Sequence, residues 1–210
     1  MAYRRTATVQ ARLDAQRETV LRSAMELLAE RGYSGCSMAA VAERAGIATG
    51  SLYQHFAGKT DLSVELFRTV VTHEVEAVTA AAARWSDPRR RATAVLETFA
   101  ARALQSPRLA YALLAEPADA AVDAERLVFR RTFRDLLAAQ IAAGVDSGLL
   151  PEQDPGLTAA ALVGAVGEAL VGPLAAGSPP DEVLPALTVF ILRAMGAPAA
   201  TPVDPLEGEA

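Results

Sequence analysis

The sequence contains few of the residues that carry metal or nucleophilic chemistry. Only one of its 210 residues is a cysteine, and two are histidines. A single cysteine excludes an intramolecular disulfide and fits a reducing compartment. The sequence has no Cys/His spacing typical of metal ligands, no glycine-rich phosphate loop after a strand and no Gly-x-Ser-x-Gly motif. We therefore expect no catalytic residue, no metal site and no cofactor, which argues against an enzyme.

Aromatic residues are also scarce, at 5% of the chain, whereas hydrophobic residues reach 51%, mainly through Ala, Leu and Val. Ala and Leu are strong helix formers, and the residues that favour strands are few. The composition therefore predicts an all-α protein, and the spacing of apolar residues predicts about nine helices. No uncharged apolar run of about 18 residues occurs, and no apolar core follows the basic N-terminus. We expect a cytoplasmic protein without a membrane partner.

The net charge of −5 argues by itself against a nucleic-acid partner, but the charge is unevenly distributed. Residues 1–68 carry nine basic and seven acidic side chains, so this segment is slightly basic and the remainder is acidic. An excess of two charges is also compatible with an ordinary protein surface. The local residue pattern must therefore decide whether this segment binds DNA.

Residues 37–56 predict two short helices joined by a tight turn. Ser37 is a suitable N-cap, because its hydroxyl can accept a hydrogen bond from an otherwise unpaired backbone N–H. Gly46 follows the first helix at a position where a left-handed cap favours glycine. Ile47 is apolar within the turn and is expected to pack between the helices. Helical spacing places four apolar residues on one face of the first helix: Met38, Val41, Ala42 and Ala45.

The second short helix has an apolar back and a hydrogen-bonding front. Thr49 is expected to be its N-cap, and Leu52 and Phe56 lie four residues apart on the buried side. The residues between them are small or polar and are expected to face outward. A short helix of this kind suits the DNA major groove.

The stretch Gly46-Ile47-Ala48-Thr49-Gly50-Ser51-Leu52-Tyr53-Gln54-His55-Phe56, followed by Lys59 and Leu62, resembles the helix-turn-helix of the TetR/AcrR family of transcriptional regulators. The resemblance extends from about Arg17 to about Phe67. It implies a DNA-binding domain over 1–66, a ligand-binding and dimerisation domain over 67–196 and a flexible tail over 197–210. It also implies a homodimer on a palindromic double-stranded operator, and a repressor released by a small-molecule effector.

This resemblance defines the candidate DNA-binding residues. They are Ser37, Thr49, Gly50, Ser51, Tyr53, Gln54, His55 and Lys59. We expect Tyr53, His55 and Lys59 to contact phosphates, and the others in the turn and second helix to lie near base edges or backbone. Tyr3-Arg4-Arg5 is either a minor-groove arm or a solvated tail. Arg17 meets either a phosphate or an acidic side chain.

The second domain is expected to bind its effector between helices. The candidate ligand-binding residues are Phe99, Leu104, Tyr111, Leu114, Phe129, Arg130 and Phe133. Each apolar member can equally be an ordinary core residue. Arg130 is a candidate for an anionic ligand group, although an exposed or paired arginine is the alternative. A helix from about residue 59 to 84 is long enough to join the two domains.

A predicted helix over 154–176 is apolar on nearly all sides, which indicates burial on more than one face. Small residues allow a second helix to approach closely, so we expect a dimer interface here and on the following helix. The candidate interface residues are Ala161, Gly164, Ala165, Glu168, Leu187 and Ile191. The alternative is that 154–176 is only the central helix of a monomer. For the whole chain, the alternative function is a helical small-molecule binding protein without DNA-binding activity.

Overall fold

The structure, a computed structural model, describes residues 7–196. Over these residues it contains nine α-helices and no strand, so the predicted all-α class is confirmed. The helices are α1 Ala7–Gly35, α2 Met38–Arg44, α3 Thr49–Leu52, α4 Lys59–Ala82, α5 Pro88–Gln105, α6 Pro107–Leu114, α7 Ala120–Asp146, α8 Pro155–Ala176 and α9 Pro180–Ala194. Tyr3-Arg4-Arg5 and the tail over 197–210 lie outside the described residues.

Helix α1 begins at Ala7, and the side-chain amide of Gln10 donates to the Asp14 carboxylate one turn later at 2.9 Å. At its other end the helical backbone breaks at Gly32, where φ is 68° and ψ is −171°. One further turn continues to Gly35 before α2 begins.

The helix-turn-helix has most of the predicted local contacts. The Ala40 N–H donates to the Ser37 hydroxyl oxygen at 3.1 Å, and Gly46 adopts a φ of 67°. Leu52 and Phe56 are buried, with 0% and 2% of their surface exposed. The prediction that Thr49 is an N-cap was wrong. Ala48 occupies that position, because its carbonyl already accepts the Ser51 N–H at 2.9 Å, and Thr49 is the first helical residue.

Helix α4 runs through both hydrophobic cores of the molecule. Its first half contributes Leu62, Leu66 and Phe67 to the N-terminal core, and its second half contributes Val78 and Ala82 to the large core. The N-terminal core unites the buried residues of α1, α2, α3 and the start of α4 with Ala112 of α6 and Val122 of α7. The large core lies between α4, α5, α7, α8 and α9. The expected boundary at residue 66 therefore falls inside a continuous helix and a shared core.

Helix α8 has one buried face and one open face. Its buried residues are Ala159, Leu162, Val166, Leu170 and Leu174. On the other side Leu157 is 70% exposed, and Gly164 and Glu168 are also exposed. By length and composition alone α8 would be long and apolar enough to cross a membrane. Its buried face instead packs into the large core of this fold.

Candidate DNA-binding face and effector cavity

The predicted DNA-binding residues surround the buried Leu52 and Phe56 and point mostly to the surface. The exposed members are Ser37, Thr49, Gly50, Tyr53, Gln54 and Lys59, whereas Ser51 and His55 are half-buried. Tyr53 has 55% of its surface exposed, a large fraction for an aromatic side chain. Ser37 also caps α2, so its oxygen already accepts a backbone N–H and its hydroxyl hydrogen is left to donate.

Two residues of α1, Gln16 and Arg17, contact His55 and Phe56. The sequence pattern had not predicted a role for Gln16. The Gln16 side-chain amide lies 3.0 Å from Nε2 of His55, within hydrogen-bond distance. The Arg17 guanidinium lies 5.3 Å from the centre of the Phe56 ring and pairs with Glu65 at 3.0 Å. Of the two roles considered for Arg17, the structure contains the ion pair.

Most arginines near the helix-turn-helix are paired with acidic side chains. Arg44 binds Glu30 through two hydrogen bonds of 2.7 and 2.8 Å, and this contact lowers the pKa of the Glu30 carboxyl. Arg68 pairs with Glu125 of α7 at 2.6 Å. Lys59 is the first residue of α4 and is in no ion pair with any residue in the described range. A cation at a helix N-terminus is disfavoured by the helix dipole, so an arriving phosphate would relieve that charge.

A cavity of about 200 Å³ lies between α1, α4, α5, α6 and α7. Its apolar wall consists of Met25, Val70, Val71, Phe99, Ala103, Leu109, Ala110, Leu113, Leu114 and Phe129. Its polar residues are mainly exposed and form the mouth: His73, Glu74, Arg102, Gln105 and Ser106. Arg102 and Glu74 close part of this mouth through two hydrogen bonds of 2.7 and 2.8 Å.

A second cavity of about 30 Å³ reaches from this wall to α8. Phe99, Leu114 and Phe129 line both cavities and separate them. The centre of the Phe129 ring lies 4.6 Å from that of Phe133 and 6.3 Å from that of Phe67 in the N-terminal core. Phe129 is therefore in contact with both cores of the protein.

The structure brings five of the seven predicted ligand-binding residues to these cavities. Phe99, Leu114, Phe129, Arg130 and Phe133 line one or both. Leu104 and Tyr111 line neither cavity; Leu104 is 4% exposed within the large core, and Tyr111 packs against that core.

The N-terminal domain and α4 contribute to the larger cavity in a way that the sequence pattern did not predict. Met25 of α1 and Val70, Val71, His73 and Glu74 of α4 all lie in its wall or mouth. An apolar stripe on α4 was visible in the sequence, but the stripe does not tell which residues border a space.

The predicted dimer residues fall into two groups. Ala161, Gly164 and Glu168 are exposed on α8, and Ala165 is half-buried. Leu187 and Ile191 are 6% and 0% exposed, so the interface prediction was wrong for both. Their side chains are covered by the chain's own core and leave no surface for a partner. The open face of α9 instead carries Val189 and Phe190, which are 37% and 43% exposed.

Comparison with known proteins assigns the N-terminal region to a family. Residues 20–66 match the family model of bacterial regulatory proteins of the tetR family. The HTH-type transcriptional activator FasR of Mycolicibacterium smegmatis is 35% identical over 86 residues, 41% of this chain and 39% of that protein. The fatty acid metabolism regulator protein of Bacillus subtilis is 32% identical over 57 residues, 27% of this chain and 29% of that protein. The matched stretches thus span less than half of these relatives.

The fold similarity extends over both domains. The crystal structure of the transcriptional regulator FadR from Bacillus subtilis in complex with stearoyl-CoA superposes with a TM-score of 0.72. The superposition covers 87% of this chain and 99% of that one at 19% identity, which establishes a common fold. The family is one of regulatory proteins rather than enzymes. Residues 20–66 therefore match the tetR family of bacterial regulatory proteins, and the chain as a whole shares its fold with the FadR structure.

Proposed function

We propose that the protein is a cytoplasmic, homodimeric transcription regulator that binds a palindromic operator and is released from it by a small-molecule effector. The observation that carries the proposal is the exposed helix-turn-helix, whose residues match the tetR family model. DNA binding belongs to residues 1–66 and the start of α4. Effector binding and dimerisation belong to the remainder up to residue 196.

The DNA contacts follow from exposure and chemistry. Tyr53, His55 and Lys59 bind phosphates and set the position of the domain on the duplex. Thr49, Gly50, Ser51 and Gln54 lie near the base edges, where an exposed amide such as that of Gln54 can pair with adenine. Ser37 donates its hydroxyl hydrogen to a phosphate while its oxygen caps α2.

The effector is an amphipathic molecule with an apolar body and an anionic head. The larger cavity has an apolar interior and a mouth that carries Arg102, held by Glu74. A volume of about 200 Å³ is below the range of roughly 300–1,000 Å³ usual for ligand pockets. A long ligand must therefore displace Phe99, Leu114 or Phe129 and continue into the second cavity toward Arg130.

The relatives favour a fatty acyl thioester as this effector. The fatty acid metabolism regulator of Bacillus subtilis is a relative in sequence, and the FadR structure that shares this fold contains stearoyl-CoA. FasR is named as an activator, so expression of a reporter gene behind the operator is the measurement that gives the sign of regulation in this protein.

The dimer forms through the open faces of α8 and α9. Leu157, Gly164, Val189 and Phe190 leave an apolar surface there, and the absence of side-chain bulk at Gly164 permits close helix contact. Two copies of α3, the helix proposed to enter the major groove, must lie about 34–36 Å apart to reach successive major grooves. A twofold dimer provides this arrangement with one copy of the motif in each subunit.

The test is binding to the DNA beside the protein's own gene, measured by fluorescence anisotropy at several salt concentrations. Affinity should fall steeply as salt rises, and stearoyl-CoA should weaken it whereas free coenzyme A should not. An Arg102→Ala variant should need more stearoyl-CoA for the same release. Saturable stearoyl-CoA binding without salt-dependent DNA binding would instead support the helical small-molecule binding protein.

The dimer has its own test in the mass of the protein in solution. Phe190→Glu places a charge on the proposed interface, and we expect it to give monomers that no longer bind the operator. Leu127→Glu is the matched control, because Leu127 is 58% exposed on α7 and lies outside the proposed interface. A wild-type monomer at micromolar concentration that still binds a palindromic site would contradict this part of the proposal.

A further inference from the structure

The break in α1 is shaped by an acidic side chain from the large domain. Gly32 has a φ of 68°, a conformation that side-chain-bearing residues rarely adopt. A Cβ atom at this position would also lie only 2.7 Å from Oε1 of Glu116. The backbone conformation therefore favours glycine, and a larger residue would in addition force the Glu116 carboxylate away from this position.

Glu116 lies in the connection between α6 and α7 and forms a hydrogen bond to the next residue of α1. Its Oε1 accepts the Tyr33 N–H at 3.0 Å. That N–H follows the break and needs an acceptor outside the regular helix ladder, because it lies in a half-buried setting. The carboxylate of Glu116 thus replaces a backbone carbonyl at the end of α1.

The backbone of Glu116 is held on both sides by the large domain. Its N–H donates to the Tyr111 carbonyl at 3.1 Å, and its own carbonyl accepts from Nη2 of Arg126 at 2.6 Å. Arg126 also donates to the carbonyls of Ala112 and Leu113 at 2.8 Å each, and its side chain is only 14% exposed. Arg126 therefore caps the C-terminus of α6 and fixes Glu116 to that helix.

Helix α6 is also a wall of the larger cavity. Leu109, Ala110, Leu113 and Leu114 line it. A ligand that changes the position of α6 therefore changes the position of the Glu116 carboxylate, because the helix end and Glu116 share the hydrogen bonds of Arg126.

On the other side of the contact, Tyr33 is joined to the helix-turn-helix. Its ring is 5% exposed in the N-terminal core, and burial raises the pKa of its hydroxyl to about 12. Its carbonyl accepts the Cys36 N–H at 3.2 Å, immediately before Ser37 caps α2. A shift of the Tyr33 backbone is therefore passed directly to the first residue of α2.

We infer that Glu116 is the positioning residue that couples the effector cavity to the helix-turn-helix, through its hydrogen bond to the Tyr33 N–H beside Gly32. The inference rests on the proposed function and assigns the route by which the cavity affects DNA binding. Occupation of the cavity moves α6, the carboxylate leaves the Tyr33 N–H, and the break in α1 loses its support. DNA affinity then falls, because the orientation of α2 and α3 is no longer defined.

The first measurement is hydrogen exchange at the Tyr33 amide, and it needs neither DNA nor a known ligand. Ala110→Leu fills the cavity from α6 and imitates an effector; Ala103→Leu does so from α5, in case the first variant folds poorly. Both variants should speed exchange at Tyr33 at least tenfold, whereas the Leu28 amide in the middle of α1 should keep its wild-type rate. Unchanged exchange at Tyr33 in a folded, cavity-filled protein would overturn the inference.

The second measurement is the ratio of DNA dissociation constants with and without the cavity-filling substitution. Coupling between sites of this kind is usually about 5–150-fold. Glu116→Ala should bring the ratio close to one, whereas Glu116→Gln, which keeps an acceptor oxygen, should retain it. Glu125→Ala is the matched control, because it removes a carboxylate that joins α7 to Arg68 of α4 without touching α1. A wild-type ratio in Glu116→Ala would overturn the inference.

These outcomes separate the inference from the function on which it rests. A wild-type protein that binds no operator contradicts the proposed function, while the exchange rates still decide whether the Glu116 contact responds to the cavity. A wild-type protein that binds operator and releases it with stearoyl-CoA, with equal release in Glu116→Ala, supports the function and overturns the assigned route.

Discussion

The N-terminal domain and the large domain keep the same fold as their relatives with very different amounts of sequence similarity. Residues 20–66 match a family model, whereas the FadR structure superposes on both domains at only 19% identity. If the surface around Leu52 and Phe56 binds DNA as proposed, its side chains must fit the single groove geometry of the duplex. A core with a cavity requires only apolar residues of suitable volume, which many sequences supply.

The two domains are nevertheless not independent units in this chain. Ala112 and Val122 of the large domain belong to the N-terminal core, and Phe129 contacts aromatic rings in both. The two domains therefore differ in how similar their sequences are to those of relatives, but their side chains pack together. A substitution in one domain is therefore expected to change the stability of the other.

The largest loss of stability is expected from truncating a buried leucine in either core. Leu52→Ala and Leu170→Ala each truncate a side chain with 0% exposure, and each should lower the free energy of unfolding by about 2–5 kcal/mol. Trp85 is the only tryptophan and lies beyond α4 in the large domain. If the cores unfold together, Leu52→Ala should shift the urea midpoint of Trp85 fluorescence as far as that of circular dichroism. A fluorescence midpoint that stays at the wild-type value would show two independent units.

A smaller loss of stability is expected at the junction between the domains. Gly32→Ala should cost about 1–2 kcal/mol for its positive φ and more for the approach of Glu116. Gly148→Ala is the control, because Gly148 has a φ of 70° with open space around it. Urea unfolding should rank Gly32→Ala as the more destabilised. In a Glu116→Ala background, which already lacks the hydrogen bond to the Tyr33 N–H, Gly32→Ala should cost no more than Gly148→Ala. Equal losses of Gly32→Ala and Gly148→Ala with Glu116 present would show that Glu116 adds no steric cost at Gly32.

The third prediction separates the domains by their effect on DNA binding. Lys59→Ala should lower affinity for all sequences and reduce the salt slope by about one unit. Arg131→Ala removes an exposed cation from α7 and should change neither. Gln54→Ala should instead alter the ranking of operator variants, since it lies at a proposed base contact. An unchanged slope for Lys59→Ala, measured beside the wild type, would remove Lys59 from the interface.

The smallest effect concerns the buried thiol of the N-terminal core. Burial raises the pKa of Cys36 to about 11. The folded state therefore keeps the thiol neutral while the unfolded chain ionises above about pH 8.5, so stability is complete below that value and declines as pH rises toward 11. The loss should be about 1 kcal/mol at pH 9. Urea titrations of Cys36→Ala should show a flatter dependence between pH 8 and 9.5; an equal slope would assign the loss to other groups.

The sequence predicted elements whose causes are local. Ser37 as a cap, Gly46 in the left-handed region and the buried pair Leu52 and Phe56 all follow from contacts within a few residues of the chain. The long helix that joins the domains followed from an unbroken apolar pattern. These predictions succeeded because helical periodicity and capping depend on neighbours that are adjacent in sequence.

Predictions failed where a side chain's surroundings come from distant elements. The apolar pattern correctly placed Leu187 and Ile191 on one face of α9, but that face is covered by the chain's own core rather than by a partner. Leu104 was similarly assigned to a cavity that it does not reach. Periodicity tells which face of a helix is buried, and it carries no information about what buries it.

The sequence by itself therefore determined the all-α class and the helix-turn-helix with its resemblance to the tetR family. The tertiary structure decided which residues enclose the cavity, including Met25 of the N-terminal domain, and which faces of α8 and α9 remain open. It also brought Glu116 to Gly32 and Tyr33, more than 80 residues away along the chain. Helix caps, turns and buried helix faces depend on residues that are neighbours in sequence. Contacts between distant residues depend on how all nine described helices pack together.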